Sequence, residues 1–283
     1  MQPILSIVIA NYNYGRFLED AIRSVITQNM SNQVELLICD AASTDNSVAV
    51  IKKYEKSIAW WCSEPDGGQS AAFNKGFKHA KGKYLTWLNA DDILIPNSLK
   101  KVVEALESHP ECQWFTGNSL RFLEDGSVME IIWGPRYYPR FLQKKNSPIV
   151  VFGPTSFFTK DIYERLGKID ERLHYVMDTD LWLRFMHEGV FQRRINTMIW
   201  AFRMHSASKT AEFGAHVMDT NSHRCLLEEE LIAEKKVGYR MSWWRHFGMR
   251  LWRILDGSMF YKIYLSFALR KFEVNSNCKK ELI

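Results

Sequence analysis

The sequence has few cysteines, no long apolar run and nearly balanced charge. Its five cysteines are scattered and form no CxxC pair, which argues against a disulfide framework and a zinc site. No apolar segment approaches the roughly 18–20 residues that a helix needs to span a bilayer. The formal net charge is only +5, which does not indicate a nucleic-acid partner. The first residues lack the basic region and cleavage site of a signal peptide, so we expect a cytoplasmic location.

The remaining composition is typical of a folded protein. Of the 283 residues, 46% are hydrophobic and 24% are charged, which excludes wholesale disorder. Short apolar runs rich in β-branched residues predict strands over residues 4–10, 34–39, 58–62 and 84–88. Because helical patterns separate these runs, the crossovers between them are right-handed and the strands form a mostly parallel sheet flanked by helices.

The helices are predicted from apolar periodicity and start signals. Leu18, Ala21, Ile22, Val25 and Ile26 follow the spacing of one helix face. Further helices are predicted over residues 46–54, 67–80, from 96 onward, 160–166 and 179–188. Between residues 114 and 158 the pattern loosens into short aromatic-rich segments, for which no regular element is predicted.

The C-terminal segment differs from the rest of the chain. Residues 237–271 contain seven Lys and Arg with Asp256 as the single acidic residue, and Trp and Leu are interleaved among them. A basic, aromatic, amphipathic helix favours the headgroup layer of a membrane. The alternative is a helical subdomain that packs its aromatic side chains on the catalytic core. Either way, Trp and Leu are too frequent for a surface that follows nucleic-acid phosphates.

Polar residues follow the strands at their carboxyl ends, where open parallel sheets bind ligands. The first strand is followed by Tyr12, whose ring could stack on a nucleoside base. The second ends at Asp40, which could accept a hydrogen bond from that base or serve as a turn former before the next helix. The fourth is followed by the adjacent carboxylates Asp91 and Asp92, which repel each other unless a cation or solvent offsets their charge. This spacing suits Mg²⁺ or Mn²⁺ completed by a substrate diphosphate.

Four segments in order resemble one enzyme family. They are SIVIANYNYGRFLEDAIRSVITQ, CDAASTDNS, SEPDGGQSAAFNKGFKHAKGKYLTWLNADD and HYVMDTDLWLRF, which span residues 4–210 with their surroundings. The chain is similar to family-two inverting glycosyltransferases of the GT-A fold, of the bacterial type that builds surface polysaccharide. The resemblance implies a nucleotide-binding, Rossmann-like catalytic domain over residues 1–210. Residues 1–95 would bind the nucleotide sugar, 96–210 the acceptor, and 211–283 would form the helical C-terminal region.

The resemblance also implies roles for single residues in binding the sugar donor. Asp40 matches the residue that holds the base, and Tyr12 the aromatic residue beside it. Asp91 matches the metal ligand of the DxD motif, while Asn89 stands where that motif begins and would contact the ribose or metal-bound water. His205 matches a histidine near the diphosphate, a candidate second ligand for Mn²⁺ or Mg²⁺; Arg203 and Lys209 could instead close over a phosphate.

The remaining expected donor contacts lie on the first strand and the third helix. They are Ala10, at the end of the first strand, and Asn74 and Lys75, which follow the Gly67-Gly68 turn. Lys75 could balance the diphosphate charge, or it could belong to a solvated helix face.

Asp178 matches the catalytic base of the family, and its position supports that role. An inverting transfer needs a base within hydrogen-bond reach of the acceptor hydroxyl. Because Asp178 lies at the start of a predicted helix, we expect the positive helix end to depress its pKa. The alternatives are that Asp178 only caps the helix and that Asp180 is the base. Met177 replaces the usual Glu before Asp178, and DAASTD replaces the usual DDGSTD, with Ala41 and Ala42 in the loop.

The predicted function is metal-dependent, inverting transfer of a sugar, with UDP as the expected nucleotide. The expected acceptor is a saccharide hydroxyl, which a lipid carrier could hold at the inner face of the plasma membrane. A nucleotidyltransferase would need a Gly-rich basic loop after the first strand, where ANYNYGRF has one Gly and one Arg. An inactive protein that binds sugar nucleotides, or a membrane-associated interaction protein, remains the alternative. Residues 133–140 could line an acceptor groove or belong to the core.

Overall fold

The computed structural model describes residues 2–134, 153–206 and 208. The first half alternates strands and helices. The strands are β1 (Leu5–Asn11), β2 (Val34–Asp40), β3 (Trp60–Ser63) and β4 (Tyr84–Asn89), and the helices are α1 (Gly15–Ile26), α2 (Ser47–Lys53) and α3 (Gln69–His79). The two-residue strand β5 (Ile93–Leu94) and helix α4 (Ser98–Ser108) follow.

The second half begins with a long antiparallel hairpin formed by β6 (Trp114–Leu123) and β7 (Val128–Ile132). After the undescribed residues, a short 3₁₀ turn at Gly153–Thr155 leads into β8 (Ser156–Thr159) and α5 (Lys160–Arg165). Helix α6 (Met177–His187) and the twelve-residue strand β9 (Arg193–Met204) complete the described elements.

The described strands form one sheet with the order β3-β2-β1-β4-β8-β6-β9-β5, with β7 paired to β6. Strands β1 to β4 pair in parallel, as the alternation of strands and helices predicts. Strand β8 is antiparallel to both of its neighbours, and β6 and β9 are parallel. The predicted α/β class with a mostly parallel sheet is therefore confirmed, whereas β6 and β9 are strands that the sequence patterns did not indicate.

Helices cover both faces of the sheet because the strand residues alternate between them. In β1, Ile7 and Ile9 pack with residues of α1, α2 and α4, while Val8 packs with α3 and the α6 region. The apolar face of α4 is buried and consists of Leu99, Val102, Val103 and Leu106. The second face is rich in aromatic side chains, and there Trp182 stacks on Trp87 and Trp114 at centroid distances of 5.8 and 5.0 Å. This stack packs β4, β6 and α6 against one another in a single buried cluster.

Two expectations lie outside the described residues. The basic aromatic segment 237–271 is not described, so its predicted helix and membrane contact stay predictions, as does most of the 133–140 segment. No helix in the described part of the chain is both long and apolar enough to cross a membrane.

Candidate functional site

A cavity of about 800 Å³ lies at the carboxyl ends of the parallel strands, where an open sheet binds its ligands. It is bordered by the loops after β1, β2 and β4, the start of α3, the start of α6 and the end of β9. Among its lining side chains are Tyr12, Asp66, Asn89, Asp91, Asp178 and Phe202. The volume is within the range of about 300–1,000 Å³ usual for small-molecule sites.

Asp91 and His205 meet at one end of this cavity. The His205 ring nitrogen Nε2 lies 3.1 Å from Oδ2 of Asp91, although the two residues are 114 positions apart in the sequence. The imidazole is held on its other side by the rings of Phe17 and Tyr14, at centroid distances of 4.5 and 5.9 Å. The Asp91 side chain keeps 13% of its surface exposed. The structure thus brings together the two residues that were predicted as metal ligands.

Asp92 does not join Asp91 in facing the cavity. It is fully buried, and its carboxylate accepts hydrogen bonds from the Arg203 backbone N–H (2.9 Å) and the Asn89 side-chain amide (2.8 Å). Burial, with the adjacent Asp91 charge, raises the pKa of Asp92 well above its ordinary value. Of the two neighbouring carboxylates, only Asp91 lines the cavity and can contact a ligand there.

Asn89 belongs to the same hydrogen-bond network as Asp92. Its amide nitrogen donates to Asp92, and its Oδ1 accepts from the Gln69 side chain at 2.9 Å. Asn89 lines the cavity, but its predicted contact with a ribose or a bound water stays a prediction.

Asp40, the predicted holder of the base, is only 1% exposed. Its carboxylate accepts from Asn11 Nδ2 (2.6 Å), Ser63 Oγ (2.6 Å), and both the backbone N–H (3.0 Å) and the hydroxyl (2.5 Å) of Ser43. In this geometry Asp40 organises the loop after β2, as expected of a turn former, and its contact with a base stays a prediction.

The conformation of the same loop explains why the usual DDGSTD motif has glycine where this chain has Ala42. Ala42 has a φ of 55°, in the left-handed region that side chains with a Cβ avoid. Ala42 therefore adopts a conformation that glycine would adopt at lower cost. A Gly at this position would relieve a local cost of about 1–2 kcal/mol.

The wall beside Asp40 contains the predicted residues Tyr12 and Ala10, together with Asp66, which the sequence analysis missed. Tyr12 is 60% exposed and lines the cavity with Ala10 and Ala41. Asp66 also lines it, with one carboxylate oxygen accepting from the Gly68 backbone N–H at 2.7 Å. The Pro-Asp-Gly-Gly run before α3 was the available signal, because an acidic residue in a Gly turn before a helix faces the same strand ends.

Asn74 and Lys75 have partners elsewhere. The Asn74 side chain bonds Tyr163 and the backbone of Ile169, which ties α3 to the loop after α5. Lys75 forms an ion pair with Glu64 at 3.1 Å. Neither residue lines the cavity, and their predicted contacts with the sugar donor remain untested.

Asp178 lines the cavity from the first turn of α6. Its Oδ1 accepts from the backbone N–H of Thr179 at 2.7 Å, and the backbone of Gly153 also bonds it. Burial raises the pKa of Asp178 above the ordinary value despite these hydrogen bonds. The expectation of a depressed pKa was therefore wrong, because loss of water outweighs the helix end.

Asp180 is a poor alternative to Asp178. It is 6% exposed, and Arg184 binds its Oδ2 through Nε at 2.9 Å and Nη2 at 2.8 Å. The same Arg184 guanidinium also donates to the backbone carbonyls of Leu166 and Lys168. Asp180 thus holds the Arg184 guanidinium, which ties α6 to the loop after α5.

The donor set suits a divalent cation shared with a substrate. Within the described ranges, no three His, Cys, Asp or Glu side chains cluster as an ion held by protein alone would require. Mg²⁺ and Mn²⁺ are commonly bound by one or two protein ligands and completed by phosphate oxygens and water. The Asp91 carboxylate, which lines the cavity, and the buried His205 imidazole 3.1 Å from it fit that arrangement.

Comparison with known proteins gives a family match and relatives that align over most of this chain. The family model described as Glycosyl transferase family 2 matches residues 6–167. An uncharacterized glycosyltransferase of Rickettsia typhi is 25% identical over 303 residues, covering 98% of this chain and 95% of the relative. The putative glycosyltransferase EpsE of Bacillus subtilis is 29% identical over 199 residues, covering 66% of this chain and 68% of EpsE.

Solved structures share the fold. The TarS 1–349 structure of S. aureus in complex with UDP-GlcNAc gives a TM-score of 0.58 at 13% identity, covering 78% of this chain and 69% of that one. The mannosyltransferase PcManGT from Pyrobaculum calidifontis, in complex with GDP-Man and Mn²⁺, gives 0.56 at 12% identity, covering 100% and 84%. At such identities the likeness shows the fold, which is the GT-A, Rossmann-like arrangement.

Proposed function

Because the chain belongs to glycosyl transferase family 2, we propose that it transfers a sugar, with inversion, from a nucleotide diphosphate to a saccharide hydroxyl. One observation carries the proposal: Asp91, whose carboxylate contacts His205, and Asp178 line a single cavity at the carboxyl edge of the sheet. Asp91 and His205 are suited to binding a diphosphate and its cation, and Asp178 is suited to accepting a proton. The UDP-GlcNAc and GDP-Man complexes of the structural relatives support a nucleotide-sugar donor.

The sugar donor is proposed to lie along the wall formed by the loops after β1, β2 and β4. Tyr12 offers an exposed ring on which the base stacks, and UDP is the proposed nucleotide. Asp91 and His205 would hold Mn²⁺ or Mg²⁺. A divalent cation there supplies positive charge that offsets the charge of the departing diphosphate.

Asp178 is the proposed general base. Its carboxylate accepts the proton of the acceptor hydroxyl as that oxygen bonds the anomeric carbon from the face opposite the nucleotide. The bond between the anomeric carbon and the diphosphate oxygen breaks, and the electron pair leaves with the nucleotide diphosphate. Because the attack is from the opposite face, the configuration at the anomeric carbon inverts. The raised pKa of Asp178 suits this role, since it makes the carboxylate a stronger base than an exposed one.

The proposed domain boundaries separate binding of the sugar donor from binding of the acceptor. Residues 1–95 are proposed to bind the sugar nucleotide, 96–210 to shape the acceptor side, and 211–283 to form a basic aromatic region at the membrane surface. A lipid-linked saccharide acceptor in surface-polysaccharide synthesis would suit such a location.

The test is the anomeric configuration of the product, followed by ¹H NMR from an α-linked nucleotide sugar. We expect a β-linked product, or β-configured free sugar from slow hydrolysis, at the first time point. A product of retained configuration would contradict the role given to Asp178. Tight nucleotide binding with no turnover of any donor, across a panel of saccharide acceptors, would favour an inactive sugar-nucleotide-binding protein.

A further inference from the structure

Arg203 makes an unusual set of contacts beside the Asp91 and His205 pair. It lies near the end of β9, two residues before His205, and its side chain is 6% exposed. Its Nε donates to the backbone carbonyl of Asp91 at 2.9 Å, and Nη2 donates to the Asp20 carboxylate at 2.9 Å. The guanidinium thus joins the loop after β4 to α1.

Aromatic rings enclose the same guanidinium. Its central carbon lies 5.0 Å from the ring centroids of both Phe17 and Phe122. Phe17 also packs on the His205 imidazole at 4.5 Å. The Phe17 ring therefore contacts both Arg203 and the His205 imidazole. A shift of the Arg203 side chain would change the packing of the imidazole through this ring.

Backbone contacts also join the loop after β4 to the end of β9. The Arg203 backbone N–H donates to the buried Asp92 carboxylate at 2.9 Å. The backbone N–H of His205 donates to the Ser208 hydroxyl at 3.2 Å, and the Ser208 N–H returns to the His205 carbonyl at 3.0 Å. Asp91 and Asp92 are thus attached to β9, whose end is itself closed by a turn.

We propose that Arg203 is a positioning residue that holds Asp91 and His205 at the separation a divalent cation and diphosphate require. It acts through the Asp91 carbonyl and the Phe17 ring rather than by touching the ligand. The earlier suggestion that Arg203 closes over a phosphate does not agree with this geometry, because the guanidinium is buried and bonded elsewhere. This inference rests on the proposed metal-dependent function.

Lysine cannot replace arginine at this position. The guanidinium is a planar fork that donates to a carbonyl and a carboxylate at once, with two aromatic rings 5.0 Å from its central carbon. An ammonium keeps the charge beside Asp20 but cannot keep the bond to the Asp91 carbonyl in the same geometry. Arg203→Lys therefore removes the link to Asp91 without leaving Asp20 unpaired.

The experiment measures Mn²⁺ affinity by electron paramagnetic resonance with saturating UDP, and separately with GDP, at a temperature where each variant is folded. We expect Arg203→Lys to weaken Mn²⁺ binding about tenfold, as loss of an outer partner of metal ligands does. Nucleotide binding without metal should stay at the wild-type value. Asp20→Asn, which leaves the bond to Asp91 in place, should give a smaller loss and serves if Arg203→Lys does not fold.

Arg184→Lys is the matched control, because Arg184 also joins a carboxylate to backbone carbonyls, but on α6. It should lower thermal stability and leave Mn²⁺ affinity unchanged. Folded Arg203→Lys with wild-type Mn²⁺ affinity, or an equal loss in Arg184→Lys, would overturn the proposal for Arg203 alone. Wild-type protein that binds both nucleotides without any contribution from Mn²⁺ would overturn the metal-dependent function and this inference together.

Discussion

Replacing Asp178 with Asn lowers kcat by about 10²–10⁴-fold, the contribution expected of a positioned general base. The amide keeps the size of the carboxylate but cannot accept the proton of the acceptor hydroxyl. Affinity for the sugar donor should stay near the wild-type value, because the diphosphate is held at the Asp91 end of the cavity. Initial transfer rates and equilibrium binding of the sugar donor measure the two effects separately.

Asp180→Asn on the same helix is the control for this variant. It weakens the bond between Asp180 and Arg184, so we expect lower stability but continued turnover. Wild-type kcat in Asp178→Asn, or loss of turnover confined to Asp180→Asn, would contradict the assignment of the base.

The pH dependence of the wild-type rate should report the same carboxylate. Burial raises the pKa of Asp178, so the acidic limb of the kcat profile should lie at higher pH than an exposed Asp would give. The residual activity of Asp178→Asn should lack that limb.

The effect of Asp178 on stability has the opposite sign to its effect on activity. Between the unfolded pKa of about 3.9 and the raised native value, the folded state binds more protons than the unfolded state. The free energy of unfolding therefore falls as pH rises through that window. Asp178→Asn should raise the Tm at neutral pH, and this gain should shrink as the pH falls toward 4.

Gly153→Ala is expected to reduce both stability and turnover strongly. A Cβ at Gly153 would lie 2.0 Å from Cζ2 and 2.3 Å from Cε2 of Trp87. Trp87 cannot tilt away freely, because it stacks on Trp182 at an interplanar angle of 3°. Overpacking of this kind costs about 1–3 kcal/mol. The backbone of Gly153, which bonds Asp178, must shift as well, so kcat should fall with the free energy of unfolding.

Denaturant unfolding and initial rates measure these losses. Gly67→Ala is the control for stability, since a Cβ there meets only the Ala71 side chain at 3.4 Å. The double variant Gly153→Ala/Trp87→Phe should lose less than the sum of its single variants, because Phe lacks the second ring that the Cβ meets. Additive losses would show that the clash with Trp87 is not the cause.

Local patterns were sufficient for the first half of the fold. Strands β1 to β4 and their helices follow apolar runs and periodicity that buried strands and amphipathic helices impose. Strands β6 and β9 were missed because polar residues interrupt them, as in Thr116, Asn118 and Arg203. These polar residues are buried by contacts with distant parts of the chain, and such contacts leave no period in the sequence.

In the candidate site, too, features that depend on contacts between distant parts of the chain could not be predicted from the sequence. The resemblance placed Asp91 and His205 at one site, and their side chains are in contact at 3.1 Å, while their role as metal ligands stays a prediction. It could not indicate that Asp92 is buried, that Asp40 is surrounded by three hydrogen-bonding neighbours, or that Asp178 loses enough water to raise its pKa. Each of these depends on packing density around a side chain, which is set by the whole fold.

Calorimetric titration with UDP-, GDP- and dTDP-sugars, with and without Mn²⁺, on wild type and Asp91→Ala, tests the central claim most directly. We predict that one nucleotide class binds the wild type much more tightly with Mn²⁺, and that Asp91→Ala loses this gain while remaining folded. Metal-independent binding that is equal in both proteins, or no binding of any sugar nucleotide, would contradict the donor site proposed for this cavity.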